Sequence, residues 1–432
     1  MAQPLDPTKF NLALLSLGGL LFFYALLSRF FKQQLYLSAP MFALVLGIFW
    51  GPVFHLFDLH AWGTQELILE ELARLAIAVQ LISTALHLES AYPFKHWRSL
   101  AIIIGPLMLS MWAISSLLVY VILNVDPWVA ILIGAVLTPT DPVLASTIVT
   151  GKFAEKHLPD RVRHLLAAES GLNDGLAYPF VFLPLLMVIP SYSDPIAHWF
   201  SVIWLWDVGA AIVFGLVLGY FAGKLLKWSQ RKKMMDKQSF LVYMVAVSFV
   251  ALGGVKLIGS DGILAVFMAG VGFDLVVKGS ERSEEENVQD ALDLMTTTTM
   301  FALFGLALPW QDWLSLGWQG LLLVIAILLL RRLPVFLLLN RFIPHTKGYL
   351  DALFMGWFGP IGVAAIFYAN LAAHKTGLHE VWSVVSLVIL GSVIIHGISA
   401  VPLSIFYQQN ISDQTNSKLP VKKRNSGIGN RE

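Results

Sequence analysis

Thirteen apolar stretches of membrane length follow one another along this chain, with only short polar loops between them. A helix that crosses about 30 Å of hydrocarbon needs about 20 mostly apolar residues. By that ruler the stretches are residues 10–28, 35–54, 69–88, 99–123, 128–149, 164–189, 200–223, 239–258, 262–277, 288–309, 317–339, 350–373 and 381–406. Lipid offers no water to backbone donors and acceptors, so helices are the expected spanning element. The fold class this predicts is an all-α polytopic membrane protein of about 13 transmembrane helices. The composition agrees: 13% of residues are charged and 57% hydrophobic, whereas a soluble domain carries about 25% charge.

Residues 1–407 are expected to form the membrane domain, and 408–432 a short polar cytoplasmic tail, disordered by composition. The positive-inside rule tests the count of spans. Loops after odd-numbered spans, with the tail, hold 23 of the 29 Lys and Arg residues, and the opposite side holds Lys9, Lys256 and Lys375. Arg74, Arg331 and Arg332 lie inside spans. The N-terminus is therefore placed outside and the C-terminus in the cytoplasm. Before the first span stand only Lys9 and Asp6, so that span is expected to be retained. A net charge of +1 gives no basic field for nucleic acid, and the absence of cysteine excludes disulfides, thiolate catalysis and Cys-ligated zinc.

Two spans are interrupted. The fifth contains Thr138-Pro-Thr-Asp-Pro-Val143, where Pro139 and Pro142 each remove a backbone donor. The twelfth contains Gly356-Trp-Phe-Gly-Pro-Ile-Gly362, with its break at Gly359 and Pro360. Spans an odd number apart run in opposite directions. Two such breaks read as an inverted repeat whose discontinuous helices cross at the midplane around a substrate; two unrelated proline kinks are the plainer alternative.

Charge at membrane depth is costly and marks function. Asp141 sits in the first break, and the sixth span holds Glu169, Ser170, Asn173 and Asp174. Five residues on a helix separate Glu169 from Asp174 by about 140°, so the two carboxylates face different surroundings. Arg331 and Arg332, deep in span 11, offer a cation to one of them, with Glu169 as the natural partner; snorkelling to the cytoplasmic face is possible for one arginine only. Asp174 is the better candidate for chemistry. A carboxylate taken out of water can hold a proton or a hard cation, and Asp141, Thr140, Ser170 and Asn173 add oxygens. One carboxylate contested by both ions gives antiport without a separate proton wire. A polar network that only packs helices is the bland alternative.

The Thr-Pro-Thr-Asp-Pro string, followed about thirty residues later by Glu169-Ser-Gly-Leu-Asn-Asp-Gly175, resembles the monovalent cation:proton antiporters, and specifically their NhaP-like branch. Gly151-Lys-Phe-Ala-Glu-Lys-His157, Arg98-Ser99, Gly259-Ser-Asp261 and Gly356 to Tyr368 bring it close to the fungal plasma-membrane Na⁺/H⁺ antiporters. The resemblance implies an NhaA/NhaP-like fold with a core around spans 4–6 and 11–13 and a dimer domain from the rest. It also implies a homodimer whose core moves like an elevator, with no cofactor. Carried onto this sequence, Asp174 exchanges Na⁺ or Li⁺ for H⁺, with Na⁺ held at Asp174 and Asp141 beside Thr140, Ser170 and Asn173. The family's arginine precedes a valine by four residues, which selects Arg331, ahead of Val335, as the partner of Glu169. Sodium transport, pH homeostasis, salt tolerance and a plasma-membrane location belong to the same implication. Two positions depart from the fungal pattern and bear on ion preference. Gly262 stands where a second acid is usual after Asp261, and Asp293 is followed by Leu-Met-Thr-Thr-Thr-Thr-Met300 without an asparagine.

A K⁺/H⁺ exchanger of the same fold is the rival within the class. An intramembrane aspartyl protease is the rival outside it, but its Gly-x-Gly-Asp motif is missing, and the nearest strings, Gly259-Ser-Asp-Gly262 and Gly171-Leu-Asn-Asp174, do not fit. Neither Gly-x-Ser-x-Gly nor His-Glu-x-x-His occurs. Glu70, Glu71 and Arg74 read as a structural i,i+4 pair, Glu281 to Glu286 as a solvated loop, Asp261 and Asp293 as interfacial or route-lining acids, and Lys422-Lys-Arg424 as a weak contact to membrane lipids.

Overall fold

The structure is a computed structural model, and it describes residues 7–33, 38–59, 62–141, 144, 146–149, 151–189, 193–235, 239–277 and 286–417. Among these the chain is helical, with no strand. In chain order the principal helices are α1 (Pro7–Gln33), α2 (Ala39–Ile48), α3 (Gln65–His87), α4 (Met108–Leu123), α5 (Pro127–Val136), α6 (Asp160–Val188) and α7 (Gly209–Arg231). There follow α8 (Ser239–Leu257), α9 (Gly262–Asp274), α10 (Glu286–Leu306), α11 (Trp310–Leu330), α12 (Leu333–Leu339), α13 (Tyr349–Trp357), α14 (Val363–Thr376) and α15 (His379–Ser417). Among the described residues, seven helical runs are long and apolar enough to cross a membrane: Pro7–Ser28, Trp97–Leu123, Asp160–Val188, Pro195–Arg231, Ser239–Leu257, Trp310–Phe342 and His379–Ile411. Four shorter apolar runs accompany them, at Ala39–Val53, Pro127–Val136, Gly262–Asp274 and Leu292–Leu306.

Proline and local caps set most boundaries. Pro52 and Pro106 each sit in a π-helical turn (Phe49–Val53, Ile103–Leu107), the wide spacing that absorbs a missing donor inside a helix. α4 stops where Asn124 turns left-handed (φ 52°), and α5 starts two residues later on Asp126. The Asp126 carboxylate accepts from Trp128 N at 2.8 Å, with Pro127 pre-set for the first turn.

One strip of buried polar groups lies where α5, α6, α12, α13 and α14 meet, and others are spread through the bundle; α7 and α9 pack against each other beside the strip. At one end of the strip Arg161 of α6 forms a salt bridge with Asp351 of α13, which also accepts from Tyr407 Oη of α15 at 2.6 Å. The tail differs from expectation. α15 runs to Ser417, ten residues beyond Tyr407, and Gln408 Nε2 donates to Lys156 O at 3.0 Å, so residues 408–417 continue a helix instead of leaving it. The Lys422–Arg424 and Glu281–Glu285 segments lie outside the described residues. Arg74 pairs with Glu71, one turn back at i,i+3, while Glu70 takes His374 across to α14 at 3.0 Å.

Candidate functional site

Both expected breaks are present, and they touch. α5 ends at Val136 with Leu137 as its cap, and residues 138–141 are non-helical; α13 ends at Trp357, and α14 begins at Val363. Pro142 lies outside the described residues. Asp141 N–H donates to Pro360 O at 2.8 Å, tying one break to the other. The Asp141 carboxylate accepts from Val363 N at 2.7 Å and from Leu144 N at 3.0 Å. It therefore caps the first turn of α14, where the helix dipole is positive.

The negative ends are met by Arg331. Its guanidinium donates to Leu137 O, at the end of α5, and to Gly359 O, beyond the end of α13. This corrects the expected pairing: Glu169 is bound by Arg332. Arg332 Nη1 and Nη2 both reach the carboxylate, Nη2 to Oε2 at 2.8 Å, while Nε donates to Met355 O at 3.0 Å. Pro334 is the physical reason. α11 ends at Leu330, and Arg332 leaves helical geometry (φ −121°, ψ −46°) as the cap of α12, which carries Pro334 in its first turn. The kink turns two adjacent arginines to different tasks. Both are 2% exposed, so neither snorkels.

The second break has close packing and satisfied backbone. A Cβ on Gly362 would meet Asp141 Oδ2 at 2.1 Å, and one on Gly359 would meet Arg332 Cδ at 2.4 Å, so the crossing admits no side chain there. Ile361 N donates to Ser392 Oγ at 2.8 Å, and His396 Nε2 bonds to Trp357 O at 3.0 Å. A ring protonated on Nε2 leaves Nδ1 to accept from Ser392 Oγ, 3.1 Å away.

One turn along α6 from Glu169, Asn173 holds Thr140 at two points: Oδ1 accepts from Thr140 N at 3.1 Å, and Nδ2 donates to Thr140 Oγ1 at 2.8 Å. Thr140 Oγ1 then faces Ser170 Oγ at 3.1 Å. Asp174 is next on the helix and 1% exposed, with Asp141 close enough to act on its charge. Its Oδ1 is buried and meets no hydrogen-bond partner among the described residues. A buried carboxylate oxygen without a donor costs free energy unless a proton, a cation or water meets it. The sequence-predicted residues Asp141, Thr140, Ser170, Asn173 and Asp174 are thus gathered around the crossing, with the Glu169–Arg332 pair beside them.

Sequence reasoning passed over Tyr368, whose hydroxyl donates to Asp174 O at 2.7 Å, and the Ser392–His396 support beneath the second break. It also passed over Asp207, which is 3% exposed. That omission was avoidable, because Asp207 is a lone charge in an apolar span, the same signal that singled out Asp174. No sequence signal marks Ser392.

The family described as "Sodium/hydrogen exchanger, transmembrane" matches residues 18–405. A probable Na⁺/H⁺ antiporter of Schizosaccharomyces pombe is 34% identical over 91% of this chain and 56% of its own length. Na⁺/H⁺ antiporter 2 of Zygosaccharomyces rouxii is 32% identical over 91% of this chain and 53% of its own length. The chain spans about half the length of these two relatives. Among solved structures, the sodium proton antiporter MjNhaP1 from Methanocaldococcus jannaschii at pH 8 superposes with a TM-score of 0.69, covering 95% of this chain and 99% of that one. At 19% identity this likeness speaks for the fold alone.

Proposed function

The chain belongs to the sodium/hydrogen exchanger family, and from that premise we propose that this integral membrane protein exchanges Na⁺ or Li⁺ for H⁺ across its membrane. One observation carries the reading: Asp174 Oδ1 is buried, unpartnered among the described residues, and set beside two broken helices. Asp174 holds either the proton or the cation. The cation is coordinated by Asp174 with Asp141, Thr140 and Ser170 oxygens, and Asn173 fixes Thr140 in place. Arg331 and Asp141 balance the half-helix ends, so the Asp174 carboxylate is the charge left for a cation or a proton to neutralise.

The same reading gives thirteen crossings with the N-terminus outside and the C-terminus cytoplasmic, supported by the distribution of Lys and Arg. The core around spans 4–6 and 11–13 carries the site, and the remaining spans form the dimer domain of a homodimer in the plasma membrane. Sodium export and pH homeostasis under salt are the corresponding cellular roles. Reconstituted vesicles test the proposal: an imposed Na⁺ or Li⁺ gradient should drive opposite proton movement. A panel of Na⁺, Li⁺, K⁺ and Rb⁺, with and without a clamped potential, fixes ion preference and stoichiometry. Exchange of K⁺ in preference to Na⁺ would replace the cation named here, and the absence of any coupled proton movement would sink the proposal.

A further inference from the structure

Beyond the crossing, a second pair of carboxylates is buried beside α6. Asp207 lies at the end of the π-helical stretch Trp199–Val208, and Asp261 is the N-cap of α9; they are 3% and 2% exposed. The backbone brings them together. Asp261 N–H donates to Asp207 O at 3.4 Å, and Ser260 Oγ–H donates to the same carbonyl. One oxygen of Asp261 is occupied, since Oδ1 accepts from Ile263 N at 3.0 Å. The Asp207 carboxylate takes a hydrogen bond from the Tyr178 hydroxyl of α6. The other oxygens, Asp207 Oδ1 and Asp261 Oδ2, are buried and meet no donor among the described residues.

Two orphaned acceptors on neighbouring carboxylates are the mark of a missing ligand, because each buried oxygen left alone costs free energy. The geometry connects them to Asp174. The Tyr368 hydroxyl that donates to Asp174 O also lies within electrostatic reach of Asp261 and Tyr178. Glycines keep α6 close against α9: a Cβ on Gly175 would meet Leu264 Cα at 2.7 Å, and one on Gly171 would meet Phe267 Cε2 at 2.2 Å. Lys256, exposed at the end of α8, and half-buried His198 also act on Asp207.

We infer that Asp207 and Asp261, with the Tyr178 oxygen, form a second binding station for a monovalent cation, between Asp174 and the face that carries Lys256. Two carboxylates and a phenol supply hard oxygens, the donor type an alkali cation takes. The inference rests on the exchange reading for its role, but binding can be measured apart from transport. Purified Asp174→Asn protein should still be thermally stabilised by NaCl over choline chloride at equal ionic strength, and Asp174→Asn/Asp207→Asn should lose that stabilisation. In vesicles, Asp207→Asn should raise the KM for Na⁺ at the Lys256 face roughly tenfold, about the worth of one charged contact, and leave the opposite face unchanged. Equal Na⁺ stabilisation of the single and double variants would overturn the inference. So would a stabilisation that follows pH alone, or a KM shift shared by both faces. If Asp207→Asn does not fold, Asp261→Asn is put through the same two measurements. Wild-type vesicles that exchange no cation would remove the exchange reading, while the Na⁺ stabilisation of Asp174→Asn still decides the station.

Discussion

Glu169 and Asp174 are five residues apart on one helix, equally buried and of the same chemical type, yet their surroundings are opposite. Glu169 has both oxygens taken by one arginine, whose third nitrogen is held by a backbone carbonyl. Asp174 has a buried oxygen with no partner among the described residues. The first arrangement is closed and holds helices together. The second is open among the described residues, which is the place the proposed ion would take. Burial alone therefore does not make a carboxylate functional; what separates the two is whether the fold itself supplies the partner.

The sharpest way to break this contrast is at its open end. Asp174→Asn should bring coupled exchange down to that of empty vesicles while elution profile and thermal midpoint stay near wild type; retained exchange would make Asp174 merely structural. The closed end should answer in stability. Arg332→Ala leaves Glu169 buried and unpaired and should cost about 3–5 kcal/mol, read as a lower melting temperature in detergent, with Glu169→Leu/Arg332→Met recovering much of it. An unaffected Arg332→Ala beside a fragile Arg331→Ala would reverse the assignment of the two arginines. Arg331→Ala leaves two carbonyls alone at about 1–3 kcal/mol each, a loss of similar size, and should also slow exchange because it frees the ends of α5 and α13.

The smallest effect lies away from both carboxylates. His96 and His345 stand ring to ring at 4.1 Å, and Ser99 Oγ is 2.9 Å from His345 Nδ1. Burial holds both imidazoles below their ordinary value of 6.5; Lys95 and His164 add to this at His96, and His96 and Arg161 at His345, while Glu89 opposes it at each. The folded protein thus binds fewer protons there than the unfolded chain. Stability should be unaffected well above 6.5 and fall as pH drops through and below it. His345→Gln should flatten that slope in a melting series from pH 8 to pH 5 without changing exchange at pH 8; an unchanged slope would show that the pair contributes nothing.

Much of the crossing was legible in the residues because its causes are local. Proline cannot donate and glycine yields to close approach, so both interruptions could be placed, and a carboxylate in an apolar run announces itself. The partner of Glu169 was not legible. Helical spacing treats Arg331 and Arg332 as 100° apart on one rod, whereas Pro334 ends that rod between them. The extension of α15 past Tyr407 was missed for a related reason: polar residues lower hydropathy but do not stop a helix. Asp207 became meaningful only with Asp261 beside it, a contact 54 residues apart in sequence that no local pattern encodes.

The glycines of the second break bear on how such a chain can change over generations. The space a side chain would need at 362 is filled by Asp141, and the space at 359 by Arg332. Neither site can be altered alone without expelling a residue some 220 or 27 positions away, so these pairs must be inherited together. A library that randomises 141 with 362, and 332 with 359, should return active variants almost only with all four residues kept, because Asp141 and Arg332 also serve the crossing themselves. Segments far apart in the gene would then behave as a single heritable unit.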